Sequence, residues 1–169
     1  HVLLGLPKTT INEICSPNST ILLIGSDLKE EYGTLYIRLR DAITNMGAKL
    51  IELTPIETGL SNIASISLRP RPGEIAKVVN SILTGEAPVE IGGVSKESIK
   101  ACHELIQDTQ INVVFAHHSI AESTEPITQA LTLLREVNET KFLPLVKRAN
   151  TVGALHMGMA PGQLPGQIS

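Results

Sequence analysis

The feature that most constrains this chain is a strand–helix–strand signature compressed into residues 21–55. Ile21-Leu22-Leu23-Ile24 is an unbroken aliphatic run, the reading of a strand buried on both faces. Gly25-Ser26-Asp27 follows, and Leu35, Leu39, Ala42, Ile43 and Met46 then recur at the spacing of one helical face. Gly47 stands where a helix C-terminal cap is expected. Lys49-Leu50-Ile51-Glu52-Leu53 predicts a second strand that ends at Thr54-Pro55. That length suits a right-handed βαβ unit, so the two strands are expected to be parallel neighbours.

The pattern continues downstream. Ile66-Ser67-Leu68 alternates as a short edge strand, and Pro72-Gly73-Glu74 opens a helix carrying Ile75, Val78, Val79, Ile82 and Leu83 on one face, stopped by Gly85. Residues 85–94 have no clear period and read as a connection, with a pseudo-boundary between two halves of the chain. Ser95 is the expected N-cap of a helix presenting Ile99, Cys102, Leu105 and Ile106. Ile111 to Ala116 then predicts another parallel strand. Thr124 is expected to cap a helix with Pro126 in its first turn and Ile127, Ala130, Leu131, Leu134 and Val137 inward. Phe142-Leu143-Pro144-Leu145-Val146 reads as an edge strand or a loop, because Pro144 removes one ladder donor. From Asn150 to Ser169 the glycines and prolines predict an irregular tail. The expected fold is a single α/β domain, Rossmann-like and three-layered, with a mostly parallel sheet and helices on both faces.

Composition narrows the chemistry. At 169 residues and 42% hydrophobic the chain can bury one sizeable core. With 14 basic against 17 acidic residues it carries a formal net charge of -3, which offers no basic surface for nucleic acid. The two cysteines, Cys15 and Cys102, are too few and too far apart for a disulfide framework, a cysteine-rich zinc site or an iron–sulfur cluster in this segment. No apolar run approaches the roughly 20 residues that cross a bilayer, so no direct membrane insertion is expected. The opening His1-Val2-Leu3-Leu4 lacks an initiator Met and a basic leader, which predicts an excised part of a longer chain.

Ligands in open α/β sheets sit outside the carboxyl ends of the strands, which directs attention to Gly25–Tyr32, Thr54–Leu60 and His117–Glu122. Gly25 permits a close approach, but Gly25-Ser26-Asp27-Leu28-Lys29-Glu30 lacks both G-x-G-x-x-G and a Walker lysine motif. His117-His118 has no H-x-x-x-H or H-E-x-x-H spacing and reads as a pair of polar loop histidines. Ser119 lacks a nucleophile elbow. Cys102 reads as a core residue and Cys15 as an ordinary loop thiol. Glu52, Glu57 and Glu74 give no pattern of converging carboxylates, and His156, Met157 and Met159 read more readily as packing than as a soft metal patch. Catalytic and metal-ligating residues are expected to be absent.

Four segments in order carry a resemblance: Ile21 to Ser26, Gly47 to Ile51, Ser67-Leu68-Arg69-Pro70-Arg71-Pro72-Gly73-Glu74, and Arg148 to Pro161. Together they resemble the molybdopterin oxidoreductase superfamily, most of all the large iron–sulfur subunit of bacterial NADH-quinone oxidoreductase (respiratory complex I). In active members of that superfamily this domain cradles one nucleotide half of the pterin. Thr54-Pro55-Ile56-Glu57-Thr58 departs from their Asp-Pro-Arg-x-Thr, and Arg71-Pro72-Gly73-Glu74-Ile75 departs from their Arg-Pro-Gly-Thr-Asp. Each lost charged hydrogen bond costs about 1.5–3 kcal/mol, which implies a vestigial pocket. The resemblance thus implies a scaffold domain in electron transfer from NADH to quinone. Iron–sulfur clusters would lie elsewhere in the parent chain, other respiratory subunits would be its partners, and it would sit on the cytoplasmic, peripheral side of the inner membrane. The alternative is an active, formate dehydrogenase-like enzyme in which Gly25, Ser26, Thr54, Glu57 and Gly73 touch molybdopterin guanine dinucleotide. A free-standing small-molecule binding module is a third possibility.

Overall fold

In the computed structural model, residues 6–25, 27–86, 89–107, 109–116, 124–136, 139–146, 148 and 150–159 are described. Their order is α1 (Ile11–Ile14), β1 (Thr20–Ile24), α2 (Leu28–Glu31), α3 (Gly33–Asn45), β2 (Lys49–Leu53) and β3 (Ile66–Leu68). There follow α4 (Ile75–Thr84), β4 (Glu90–Ile91), β5 (Val94–Ser95), α5 (Lys96–Ile106), β6 (Ile111–Ala116), α6 (Thr124–Glu136), β7 (Lys141–Leu145) and α7 (Thr151–His156). The main sheet has five strands in the order β3-β2-β1-β6-β7. Every pairing in it is parallel.

Side-chain alternation splits the interior into two cores. Leu22, Ile24, Ile51, Leu53, Val113 and Phe115 face α4, α5 and α6, whereas Ile21, Leu23, Leu50 and Val114 face α1, α2 and α3. The sheet is therefore covered on both faces, which explains why its strands read as near-continuous aliphatic runs. Fully burying a Val, Leu or Ile contributes about 1.5–3 kcal/mol, so Val78, Val79 and Ile82 of α4 bind that helix to the sheet more strongly than its propensity does.

Helix ends follow the sequence signals closely. Gly47 has φ 73° and lets Ala48 N–H fold back to donate to Ala42 O at 3.1 Å, closing the end of α3. Gly85, at φ 69°, closes α4, and the Ser95 hydroxyl accepts from Ser98 N–H at 3.3 Å to cap α5. Met46, expected on the buried face of α3, is its C-cap and 40% exposed, because the helix ends one residue earlier. Thr124 is the first helical residue of α6 rather than the residue before it.

Two local readings need correction. The connection at 85–94 contains the antiparallel hairpin β4–β5, which two-residue strands do not announce by periodicity. The segment from Asn150, read as an irregular tail, begins with α7, whose helical turn survives the glycine at Gly153; residues 160–169 lie outside the described residues. Of the two forms expected for the segment around Pro144, the edge strand is the one adopted, as β7 at the border of the sheet. Phe142 N–H donates to Pro7 O at 2.8 Å on the side away from β6. Two residues on, the missing Pro144 donor falls on that same outer side, so the ladder to β6 loses nothing.

Candidate functional site

The chain runs outward from β1 to β2 and β3, then crosses back to β6 and β7, so the strand order reverses between β1 and β6. The crevice beyond their carboxyl ends is where such sheets bind ligands. On the β1 side, Gly25 (φ 64°) donates its N–H to Leu53 O at 2.8 Å, fastening the turn across the end of β2. Asp27 caps α2, its carboxylate accepting from Lys29 N–H at 3.0 Å. Tyr32 (φ -139°, ψ 60°) then breaks the backbone between α2 and α3. On the β6 side the residues that follow Ala116, including His117, His118 and Ser119, lie outside the described residues, as does Ser26.

Thr54 continues β2 by donating its N–H to Leu68 O at 3.2 Å, and is 2% exposed. Beyond it Ile56 is 60% exposed and Glu57 also faces solvent. Gly73, at φ 80°, turns the chain into α4, and that segment is tied to the β4–β5 hairpin by Arg71 N–H donating to Gly92 O at 2.7 Å. An Arg71–Glu90 ion pair at 2.9 Å reinforces the tie. Gly25 and Thr54 therefore share the carboxyl ends of β1 and β2, while Glu57 projects outward and Gly73 belongs to the turn against the hairpin.

The cluster that sequence reasoning missed lies just beneath this edge. Glu52 is 0% exposed, on the α3 face of the sheet, directly paired with Ser67 in register. Its Oε2 accepts from Ser67 Oγ at 2.6 Å, Ser61 Oγ at 2.8 Å and Arg69 Nη1 at 3.2 Å, and its Oε1 accepts from Thr58 Oγ1. Arg69 Nη2 also donates to Ser61 Oγ at 2.7 Å, and Ser61 Oγ accepts from Thr58 N–H at 2.8 Å. One carboxylate thus ties the middle of the β2–β3 loop to β3 and to the residue that follows it. Gly59 seats that loop against α2 and α3, since a Cβ there would lie 2.9 Å from Lys29 Cδ. A glutamate framed by aliphatics in Lys49–Leu53 was the available signal, because a charge in a doubly buried strand demands partners.

The remaining candidates resolve plainly. Cys102 is 0% exposed and burial pushes its thiol up to about 12. Cys15, expected to be an ordinary loop thiol, is the C-cap of α1 and 9% exposed. Burial raises its pKa, with opposing influences from Arg38 and Asp41. Met157 and Met159 are 69% and 76% exposed, so the packing role expected of them is not realised among the described residues. Among the described residues no group of three or more His, Cys, Asp or Glu side chains could hold a metal ion. No helix among them is long and apolar enough to cross a membrane.

No protein-family description and no curated protein sequence matches the chain. Its fold does match solved structures, and the class these define is the parallel, helix-covered Rossmann-like α/β domain. One such match is to the crystal structure of the formyltransferase/hydrolase complex from Methylorubrum extorquens in complex with methylofuran, with a TM-score of 0.58 and 15% identity. The match covers 95% of this chain and 46% of that one, so this chain spans about half the length of its structural neighbour.

These findings overturn the resemblance to the molybdopterin oxidoreductase superfamily and to the large iron–sulfur subunit of respiratory complex I. The matched protein is a formyltransferase/hydrolase component, and neither the NADH-quinone reading nor the formate dehydrogenase-like alternative is supported. The physical reason lies in the segments that suggested them. Strand–turn–helix pieces such as Ile21 to Ser26 recur across doubly wound folds of unrelated activity. In the segment from Ser67 to Glu74, Arg69 is engaged by Glu52 and Arg71 by Glu90, internal contacts that any such fold could use.

Proposed function

We propose that this chain is a packing and assembly module of a multi-subunit formyl-transferring complex, with the transfer chemistry carried by other parts of that complex. The observation that carries the reading is the fold correspondence along 95% of the chain with part of a larger chain from such an assembly. The carboxyl edge supports the same role. Its buried acid, Glu52, is occupied by four internal donors, and Thr54 is folded into the β2–β3 ladder. Both arrangements stiffen the edge as a platform.

The test is to purify the native assembly through a tag on this chain, weigh it by native mass spectrometry and assay formyl transfer. A complex of unlike subunits with formyltransferase activity, unchanged within about twofold by Glu57→Gln, is expected. Recovery of this chain alone or only with copies of itself would overturn the assembly role. A loss of turnover beyond about a hundredfold in Glu57→Gln would overturn the division of labour, since removing a group that acts in the transition state costs on that scale.

A further inference from the structure

At the opposite, amino-terminal edge of the sheet a polar pocket of about 370 Å³ opens between the α1–β1 turn and the starts of β6 and β7. Its lining includes Ser16 to Thr20, Gln110, Asn112 and the Lys141–Glu13 pair. Asn112 is the unexpected member. It is the second residue of β6, where its register neighbours are Ile21 on one side and Lys141 on the other. It is only 7% exposed, its carboxamide makes no hydrogen bond among the described residues, and what it leaves accessible faces the pocket it lines. Asparagine is depleted in strands, and at a position this enclosed an aliphatic residue is the ordinary occupant. The neighbours Val113 and Val114 show what the position would otherwise hold.

The surroundings define what would satisfy it. Lys141 Nζ donates to Glu13 Oε1 at 3.1 Å, so the charges at the rim cancel. The Thr10 backbone amide, with Lys141 and the Thr10 and Thr9 hydroxyls, holds Glu13 at about 2, which keeps that pair ionised at neutral pH. Two further carboxamides, Gln110 and Asn18, stand exposed at the mouth. Carboxamides both donate and accept, and no aromatic side chain lines the pocket. Such a lining favours a neutral molecule bearing several hydroxyls over an anion or a stacked base. The volume lies at the small end of ligand pockets.

We propose that this amino-edge pocket binds a neutral polyhydroxylated small molecule of about monosaccharide size, with Asn112 as its principal contact and Gln110 at its entrance. The inference stands apart from the assembly role, which concerns the other edge of the sheet and the partners of the chain.

The probe is myo-inositol, titrated into the full chain and followed by the side-chain amide resonances of Asn112 and Gln110 in ¹⁵N–¹H NMR spectra. Polyols stabilise many proteins by exclusion from their surface, so saturation, not thermal stabilisation, is the criterion. Saturable shifts centred on Asn112 are expected, with affinity falling at least tenfold in Asn112→Val and measurably in Gln110→Ala. Asn112→Val is expected to melt no lower than the native chain, the sign of a residue kept for binding rather than stability. Shifts that stay linear with concentration, or saturable shifts that persist unchanged in both variants, would overturn the proposal. Should Asn112→Val fail to fold, the exposed Gln110→Ala and the native titration decide between the same outcomes.

Discussion

Replacing Glu52 by alanine removes the acceptor on which three hydroxyls and one guanidinium converge. Hydrogen bonds to a charged partner contribute about 1.5–3 kcal/mol each, but their simple sum overstates the loss. The Arg69 side chain is 33% exposed and rehydrates, while Ser61 retains Thr58 N–H and Arg69 as donors to its oxygen. Breaking a buried pair from one side costs about 3–5 kcal/mol, and the lower end applies here. A destabilisation of about 3 kcal/mol lowers Tm by about 6–12 °C in a chain of this size. Glu52→Gln is expected to cost less, about 1–2 kcal/mol. Its amide oxygen can occupy the place of Oε2 and its NH₂ can face Thr58 Oγ1, which is able to accept. Urea titration of the three proteins measures this directly, and limited proteolysis between Thr54 and Ile63 reports whether the loop has come loose. Equal stability of Glu52→Gln and Glu52→Ala, or a loss below about 1 kcal/mol for alanine, would refute the idea that one carboxylate holds the loop.

Three further outcomes are expected. The Glu13 carboxylate, exposed but bonded to Thr10 N–H and Lys141, titrates at about 2. Its folded-state pKa lies below the ordinary 4.5, so its contribution is present above that value and is lost as pH falls towards 2. A ¹³C carboxyl titration with a midpoint near 4.5 would contradict this. Cys102, with its thiol pushed up to about 12, is expected to resist a thiol reagent at pH 8 in the native state and to react at once in urea; a stoichiometric burst on native protein would refute the burial. Gly85→Ala is expected to cost about 2 kcal/mol in thermal or urea melts, because φ 69° disfavours a side chain and its Cβ would stand 2.8 Å from His103 Cδ2. A melt unchanged from the native protein would place Gly85 in a different conformation.

Aliphatic runs, helical periodicity and glycine caps made the parallel sheet and most helices legible, because a doubly covered strand and an amphipathic helix each leave a distinct sequence period. Ile21–Ile24 and Gly47 show this well. The two-residue strands β4 and β5 left no period, since they are too short to show one. The Glu52 cluster was harder still. Its members are scattered from position 52 to position 69 and converge only when β3 docks beside β2, so register had to be known before the pairing could be seen. Gly25 and Thr54 were correctly placed at the strand ends, but nothing in their identity separates a ligand contact from an ordinary turn. Asn112 stood in plain view within an aliphatic strand, yet it acquires meaning only from the open space beside it.

The geometry of β7 has a consequence for how the chain can meet other proteins. Its outward side is partly occupied by Pro7 and Thr9, and the next outward donor is deleted at Pro144. At the far border of the sheet, β3 extends for three residues only. Among the described residues neither border offers a run of free amides long enough to recruit an extra strand from a neighbour. The described surface thus presents helices and loops, where specificity is written in side chains, rather than an open strand edge. Pro144→Val would restore only a single outward donor to the β7 border, too little to recruit a strand.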